Sequence, residues 1–570
     1  MYDICIIGSG QSGLVTCKTF AEKNKNIIVL EKSSDDNGLF STIKEKDYFK
    51  WSTSRSMSGF SDFPMDKNLP HWFTIQNYID YLRSYKQYFQ LEKYIQYNSY
   101  VTNCKQNENQ EWIVNYRHNH TEKQLVCKKL IVCSGLNQTP KYPDIIKHFK
   151  GEVIHANSIY REMTKQDWKN KFQGKRVLLL GGGESAFDAG HIILQYTDKL
   201  YYATQNYIEW YPQGGENEEF LHKIKNSNNG LYEKVFIVSN PTDTNLLGAE
   251  YSLPEPMSEI WHTCGRWILH TFSNIDIKCN HQYKDLCEKT ETPDDLFLKY
   301  VVKRNDFVFD LHDNKVKIIY YPNKIENKTV YTKDEIVQID IIVCATGYKK
   351  TFPFLDDTIV NDEFIKKMIP KNTSNIAFIG FARPTMGSIA SIAEMQSWWV
   401  ESYFYNHLQY TIRKPWFRFK DTLQLTNEHI NTIVIGCYYL KDLAKDMNIE
   451  PNMVYLFFTD FALFKTIYTG SCHPMIYRIQ GDKYYSGARE TLMNTFVDFK
   501  ERNNNERLYF VMFVGFHILF ILFLFLISYF ITNMVYIMIK YSKRRFQYKN
   551  ISWLPYLLGF FLVFIFYYYF

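Results

Sequence analysis

YDICIIGSGQSGLVTCKTFAEKNKNIIVLEKS, residues 2–33, reads as a strand, a tight turn, a helix and a second strand. Ile4, Ile6 and Ile7 make the first strand apolar, and Gly8, Gly10 and Gly13 follow at the spacing G-x-G-x-x-G. Gly8 permits the tight turn, Gly10 lets the backbone approach a pyrophosphate, and Gly13 lets the helix pack closely. The helix N-terminus, with Ser9, Gln11 and Ser12 around it, offers unpaired N–H groups and a positive dipole end to phosphate. Ile27–Leu30 is the second strand, and Glu31 at its end is suited to accept a hydrogen bond from a ribose 2′-hydroxyl. An acid there, rather than a partner for a 2′-phosphate, suggests FAD or NAD over NADP.

The unit recurs. KRVLLLGGGESAFDAGHIILQYTDKLYYAT, residues 175–204, holds an apolar strand over 177–180, then Gly181, Gly183 and Ala186 as G-x-G-x-x-A, then a helical run to Leu194. Two such units in one chain imply two dinucleotides and an α/β fold of two nested Rossmann-like domains. Near the next strand end the chain has Ala203, Thr204, Gln205 and Asn206, neither acid nor Arg, so the residues leave NADPH and NADH both open. The fragments 130–143 and 340–355 each carry an apolar strand and precede a Pro-bearing connection, as expected of crossings between nested domains.

At 570 residues, 46% hydrophobic and 22% charged, the chain can bury two or three cores. A net charge of +6 over this length makes no nucleic-acid footprint. The 11 cysteines form no CxxC pair or metal-ligand spacing, which argues against disulfide-reductase chemistry and metal binding and for reduced thiols. The N-terminal residues open on a strand without a signal-peptide pattern. Residues 508–539 are an almost charge-free apolar run, longer than a ~30 Å hydrocarbon core requires. A basic stretch, 540–549, and a second apolar run, 553–570, come after it. A buried core helix is the bland alternative, but a terminal run this long is read as a membrane anchor.

These pieces together resemble the flavin-containing monooxygenases, the FAD- and NADPH-dependent class B family of animal type. FKGEVIHANSIYR, residues 149–161, is read as that family's fingerprint through Phe149, Gly151, His155 and Tyr160; Trp takes the place of the tyrosine in the related Baeyer–Villiger enzymes. FSDFP (60–64), Asp188 after the second glycine motif, ATGY (345–348), GSIASIAEMQSWW (387–399) and the stretch 449–489 agree with it. The resemblance implies FAD contacts at Gly8, Ser9, Gly10, Gln11, Ser12, Gly13, Glu31, Lys32, Leu39, Phe40 and Gly347. It implies NADP contacts at Gly181, Gly183, Glu184, Ser185, Ala186 and Thr204, with Ser52 and Thr53 near the nicotinamide.

Three positions depart from the family: Ser52 stands where a flavin-proximal Asn is usual, Gln205 where Arg binds the 2′-phosphate, and Phe40 in GLF where Trp is usual. The implied domains are 1–165 and 331–500 for FAD, 166–330 for NADP and 506–570 as anchor. The implied activity is oxygenation by NADPH and O2 of a soft nucleophilic nitrogen or sulfur in a small molecule, through a C4a-hydroperoxyflavin. A Baeyer–Villiger enzyme and a membrane-tethered oxidase that only reduces O2 are the alternatives. Ser52 is the candidate catalytic residue. His155 is read as a support of the linker or, less simply, a base; Glu394 and Gln396 either face the flavin or are structural. The expected location is the endoplasmic reticulum membrane, catalytic domain cytosolic, with lipid contacting the tail and an oligomer allowed.

Overall fold

The computed structural model describes residues 1–34, 38–205, 208–210, 300–302, 316–384, 387–405, 408–412, 433–434, 436–469, 472–495 and isolated positions elsewhere. Two sheets carry it. The first runs in the order Ile95–Gln96, Ile27–Leu30, Tyr2–Ile7, Thr121–Val132, Trp112–His118, Ser99–Gln106, with Ile376–Phe378 also against Thr121–Val132. Tyr2–Ile7 is parallel to both neighbours, whereas Ser99–Gln106, Trp112–His118 and Thr121–Val132 form an antiparallel meander. Thr121–Val132 serves both parts, and its sequence shows why: TEKQ at its start is exposed, while Leu130, Ile131 and Val132 are buried. A strand covered on both faces must be apolar throughout, and a half-solvated one need not be.

The second sheet is parallel, in the order Val316–Ile318, Lys199–Ala203, Arg176–Leu180, Ile341–Cys344, Glu152–His155. All its strands fall between Thr121–Val132 and Ile376–Phe378 in sequence, so this unit is inserted into the first. Glu152–His155 and Ile341–Cys344 belong to it, although both lie outside 166–330. The two crossings meet: Thr139–Pro140 pairs with Tyr348–Lys349, and the Lys141 N–H donates to the Gly347 carbonyl at 2.9 Å.

The helix Ile389–Tyr405 lies on the first helix, Gln11–Ala21. Small polar residues make the approach close: Thr16 and Thr19 turn their hydroxyls back to the Ser12 and Val15 carbonyls, and Thr19 also meets the Ser397 hydroxyl at 2.8 Å. Among the described residues no helix is long and apolar enough to cross a membrane. The expected anchor, 506–570, lies almost wholly outside those residues.

Candidate functional site

The first glycine turn is built by sterics. Gly8 has φ +98°, and a Cβ on it would lie 2.8 Å from the Cys133 carbonyl oxygen. A Cβ on Gly13 would lie 1.9 Å from the Gly8 oxygen, so only glycine lets this helix start where it does. Gly10 caps Gln11–Ala21 without a side-chain hydrogen bond, and the first turn holds no acid. Its N–H groups and the positive end of the helix are therefore left for an anion.

Glu31 is buried and accepts from the Ser9 N–H (2.8 Å), the Ser9 hydroxyl (3.1 Å) and the Ser33 N–H (2.9 Å). A carboxylate has about four acceptor positions, so it holds the turn and can still receive a ribose hydroxyl. Gln11 accepts from the Tyr78 hydroxyl at 2.7 Å, and Phe40 sits edge-on to Trp51 and Tyr78, its ring centroid 4.7 and 5.4 Å from theirs. Lys32 is on the surface and donates to Gln138, and Leu39 precedes the short Phe40–Thr42 turn. Gly347, φ +80°, faces open space.

The second turn repeats the geometry. A Cβ on Gly181 (φ +129°) would lie 2.2 Å from the Ala345 oxygen, and Gly183 caps Glu184–Leu194 with no side-chain hydrogen bond. Ala186 is buried against the sheet, and Glu184 puts a carboxylate in the first turn. The Gly181 N–H donates to the Ala203 carbonyl at 3.1 Å, which brings buried Thr204 and exposed Gln205 to the same sheet edge. Both cradles fit a dinucleotide.

The fingerprint proves to be the brace between them. The Phe149 ring occupies the space above Gly151, where a Cβ would come within 2.4 Å of it. The His155 Nε2–H donates to the Gly347 carbonyl (3.0 Å) while Nδ1 accepts from the Asn157 N–H (3.2 Å). Burial lowers the His155 pKa and favours the neutral ring, and both of its nitrogens are taken up by these bonds, so it acts as a strut. The Tyr160 hydroxyl donates to the Ser185 carbonyl (2.9 Å), inside the second glycine turn. At this tyrosine the chain does not keep the family's F-x-G-x-x-x-H-x-x-x-Y spacing. Four residues separate His155 from Tyr160 where the family spacing has three, and Ile159, fully buried, holds the strict position. Tyr160 therefore does not discriminate between oxygenation of heteroatoms and of ketones.

Ser52 is half-buried on the loop before Arg55–Ser58, and the Thr53 hydroxyl donates to the Gly387 carbonyl at 3.3 Å. Residues 57–62 are pinned from one side by Ile389–Tyr405 and from the other by residues 473–478. The Ser391 hydroxyl donates to the Met57 carbonyl (3.3 Å), and Glu394 accepts from the Ser61 N–H (3.0 Å) and hydroxyl. His473 Nε2 meets the Gly59 carbonyl at 3.0 Å, and burial pushes its pKa down to about 4.

Arg478 reaches Asp62 (2.8 Å) and Glu394 (3.4 Å) and lies 4.6 Å over the Trp398 ring; Lys18, from the first helix, also pairs with Asp62. Two carboxylates and two cations thus close a buried cluster that sequence reading missed, although FSDFP and the 449–489 stretch each pointed to one side of it. Burial raises the Glu394 pKa against the pull of Arg478. Gln396 accepts from the Gly380 N–H (2.8 Å) and donates to Tyr439, so Glu394 and Gln396 both bond within the protein.

The model of the flavin-binding monooxygenase-like family matches residues 2–213 and 249–533. The chain is 28% identical to a 4-hydroxybenzoate brominase (decarboxylating) of Marinomonas mediterranea, over 79% of this chain and 84% of that protein. It is 25% identical to dimethylaniline monooxygenase [N-oxide-forming] 2 of Rattus norvegicus, over 86% and 91%. Its fold is similar to that of S-allyl-L-cysteine S-oxygenase from Allium sativum, with a TM-score of 0.52 at 15% identity over 86% of this chain and 98% of that one. It is also similar to that of a steroid monooxygenase bound to NADP, with a TM-score of 0.55 at 14% identity over 78% and 98%. With both cradles in place and the family matched along most of its length, the chain belongs to the flavin-binding monooxygenases, and its cofactors are FAD and NADPH.

Proposed function

We propose that this monooxygenase transfers one atom of O2 to a soft nucleophilic nitrogen or sulfur of a small molecule, the other atom leaving as water while NADPH is oxidised. The observation that carries the reading is similarity to dimethylaniline monooxygenases over 86% of the chain, beside a family match that spans the 449–489 stretch closing on the FSDFP loop. Bound FAD supplies hydride acceptance and oxygen activation. The residues do the rest: the Gln11–Ala21 N-terminus and Glu31 hold one dinucleotide, the Glu184–Leu194 N-terminus holds the other, and the 53–62 loop walls the space between. Ser52, at the position of the usual Asn, has one hydroxyl in place of an amide, so a larger fraction of NADPH is diverted to hydrogen peroxide.

The domains, 1–165 with 331–500 for FAD and 166–330 for NADP once the strands Glu152–His155 and Ile341–Cys344 are counted with the latter, and an endoplasmic reticulum location with residues 506–570 as anchor and the catalytic part cytosolic, belong to the same proposal. A second reading, halogenation of a phenolic acid, is favoured by the 28% identity to the brominase. One experiment separates them: the purified full chain is given NADPH, O2 and, in turn, dimethylaniline, a thioether, a cyclic ketone, and 4-hydroxybenzoate with bromide. N-oxide or sulfoxide in proportion to NADPH consumed is expected. Brominated phenol or lactone instead, or peroxide alone with every substrate, would overturn the reading.

A further inference from the structure

The helices Met453–Thr459 and Phe461–Thr469 meet at Asp460, which accepts from the Leu463 N–H (3.1 Å) and pairs with Arg489 (2.6 Å). Their inner side, Leu456, Leu463 and Ile467, belongs to the main core. The outer side is apolar as well: Phe458 is 79% exposed, Phe461 58% and Tyr455 56%, with Val454 and Phe457 beside them. Ring centroids of Phe457 lie 5.1 Å from Phe458 and 5.5 Å from Phe461, so this is one continuous aromatic surface. Solvent-facing aromatic clusters of this kind mark a binding face rather than scatter.

Two further observations say what covers it. Phe461–Thr469 packs on Ala488–Thr495, the last described helix, and the apolar run begins 13 residues after Thr495. That length of chain spans at most about 45 Å, so the run starts within reach of the face. Of the described residues of the run, Leu522, Leu526, Tyr529, Phe530 and Met534 are exposed, and Gly515 and Asn533 are half-buried. At 100° per residue the five exposed side chains fall on one side of a helix.

We propose that the face formed by Val454, Tyr455, Phe457, Phe458 and Phe461 sits in the headgroup–acyl boundary of a phospholipid bilayer, as a second contact beside the tail. It rests on the reading of residues 506–570 as an anchor. Aromatic side chains are favoured at that depth, and a short amphipathic element lies in the plane of the interface with its apolar face down.

The test uses the full chain reconstituted in phosphatidylcholine vesicles carrying a phosphatidylcholine with a diazirine in its acyl chain. After photolysis, peptides are mapped for lipid adducts. Adducts on both 453–469 and 508–539 are expected, with those on 453–469 reduced at least fivefold in a Phe458→Ser/Phe461→Ser variant of unchanged FAD content. Adducts on 508–539 alone overturn the face and leave the anchor standing. Adducts on neither overturn the anchor and the face with it. Cross-links between two copies through 453–469, in place of lipid adducts, assign the face to a dimer and also overturn the proposal.

Discussion

Glu184 opens the helix whose N-terminus faces the second glycine turn. A carboxylate there favours the helix by about 0.3–1 kcal/mol, and its own negative charge repels a pyrophosphate. Glu184→Gln is therefore expected to lower the KM for NADPH roughly two- to fivefold without changing kcat; a KM that stays put or rises shows that the carboxylate instead bonds the coenzyme. Gln205, exposed at the end of Lys199–Ala203, lacks the forked cation that binds a 2′-phosphate. Charged hydrogen bonds contribute about 1.5–3 kcal/mol, so Gln205→Arg is expected to raise the NADPH-over-NADH ratio of kcat/KM roughly ten- to hundredfold. An unchanged ratio means another cation already reads the phosphate. Residues of this kind were legible because glycine, acid and cation positions obey steric and charge rules local to one turn. Tyr160 lies one place beyond the family spacing, a departure legible in the sequence itself. A pattern counted along the chain takes no account of which side of a helix a residue occupies, and only the structure puts Ile159 in the core and the Tyr160 hydroxyl on Ser185.

The helix Ile389–Tyr405 ties the first glycine helix to the FSDFP loop, and Arg478 closes the tie from the other side. Arg478→Met would leave Asp62 and Glu394 buried with Lys18 as their one remaining cation in the cluster. Breaking a buried pair by removing one partner costs about 3–5 kcal/mol, and loss of that order is expected in denaturant unfolding; a change within experimental scatter would mean the cluster is bypassed. His473 gives a pH signature. Unfolded histidine titrates near 6.5, whereas burial holds this one down to about 4. As pH falls below 6.5 the unfolded chain takes the proton first. Its contribution is thus complete above 6.5 and declines by about 3 kcal/mol as pH falls to 4. His473→Asn should flatten the slope of stability against pH in that window, and an unaltered slope would show that other groups set it. None of this was visible in the sequence, since Arg478 and Asp62 lie 416 residues apart and no spacing rule spans that distance. The strands and both glycine turns needed no such contact to be read.

At the scale of the whole molecule, insertion of the second unit into the first makes the two crossings share one short ladder, 139–140 against 348–349. Every residue assigned to the cradles, and the 473–478 segment that closes the loop, precedes residue 496. The tail carries a different problem. If residues 508–539 cross a membrane once from the cytosol, the basic stretch 540–549 emerges on the far side, against the usual preference for cations on the cytosolic side. If that stretch stays cytosolic, the run must enter and return. On the proposed anchoring, either path would leave the catalytic part outside the bilayer, held by the tail and, at the interface, by the aromatic face of 454–461. A few aromatic side chains alone give weak, reversible binding, whereas a spanning run is effectively irreversible. Removing every residue after Asn505 should therefore move the protein to the soluble fraction, with FAD retained at the stoichiometry of the full chain because both cradles are intact. Fractionation after a salt wash, together with the flavin absorbance of the released protein, measures both. A truncated chain that still sediments with membranes would remove the tail as anchor, and one that is released without FAD would show that the tail supports the fold.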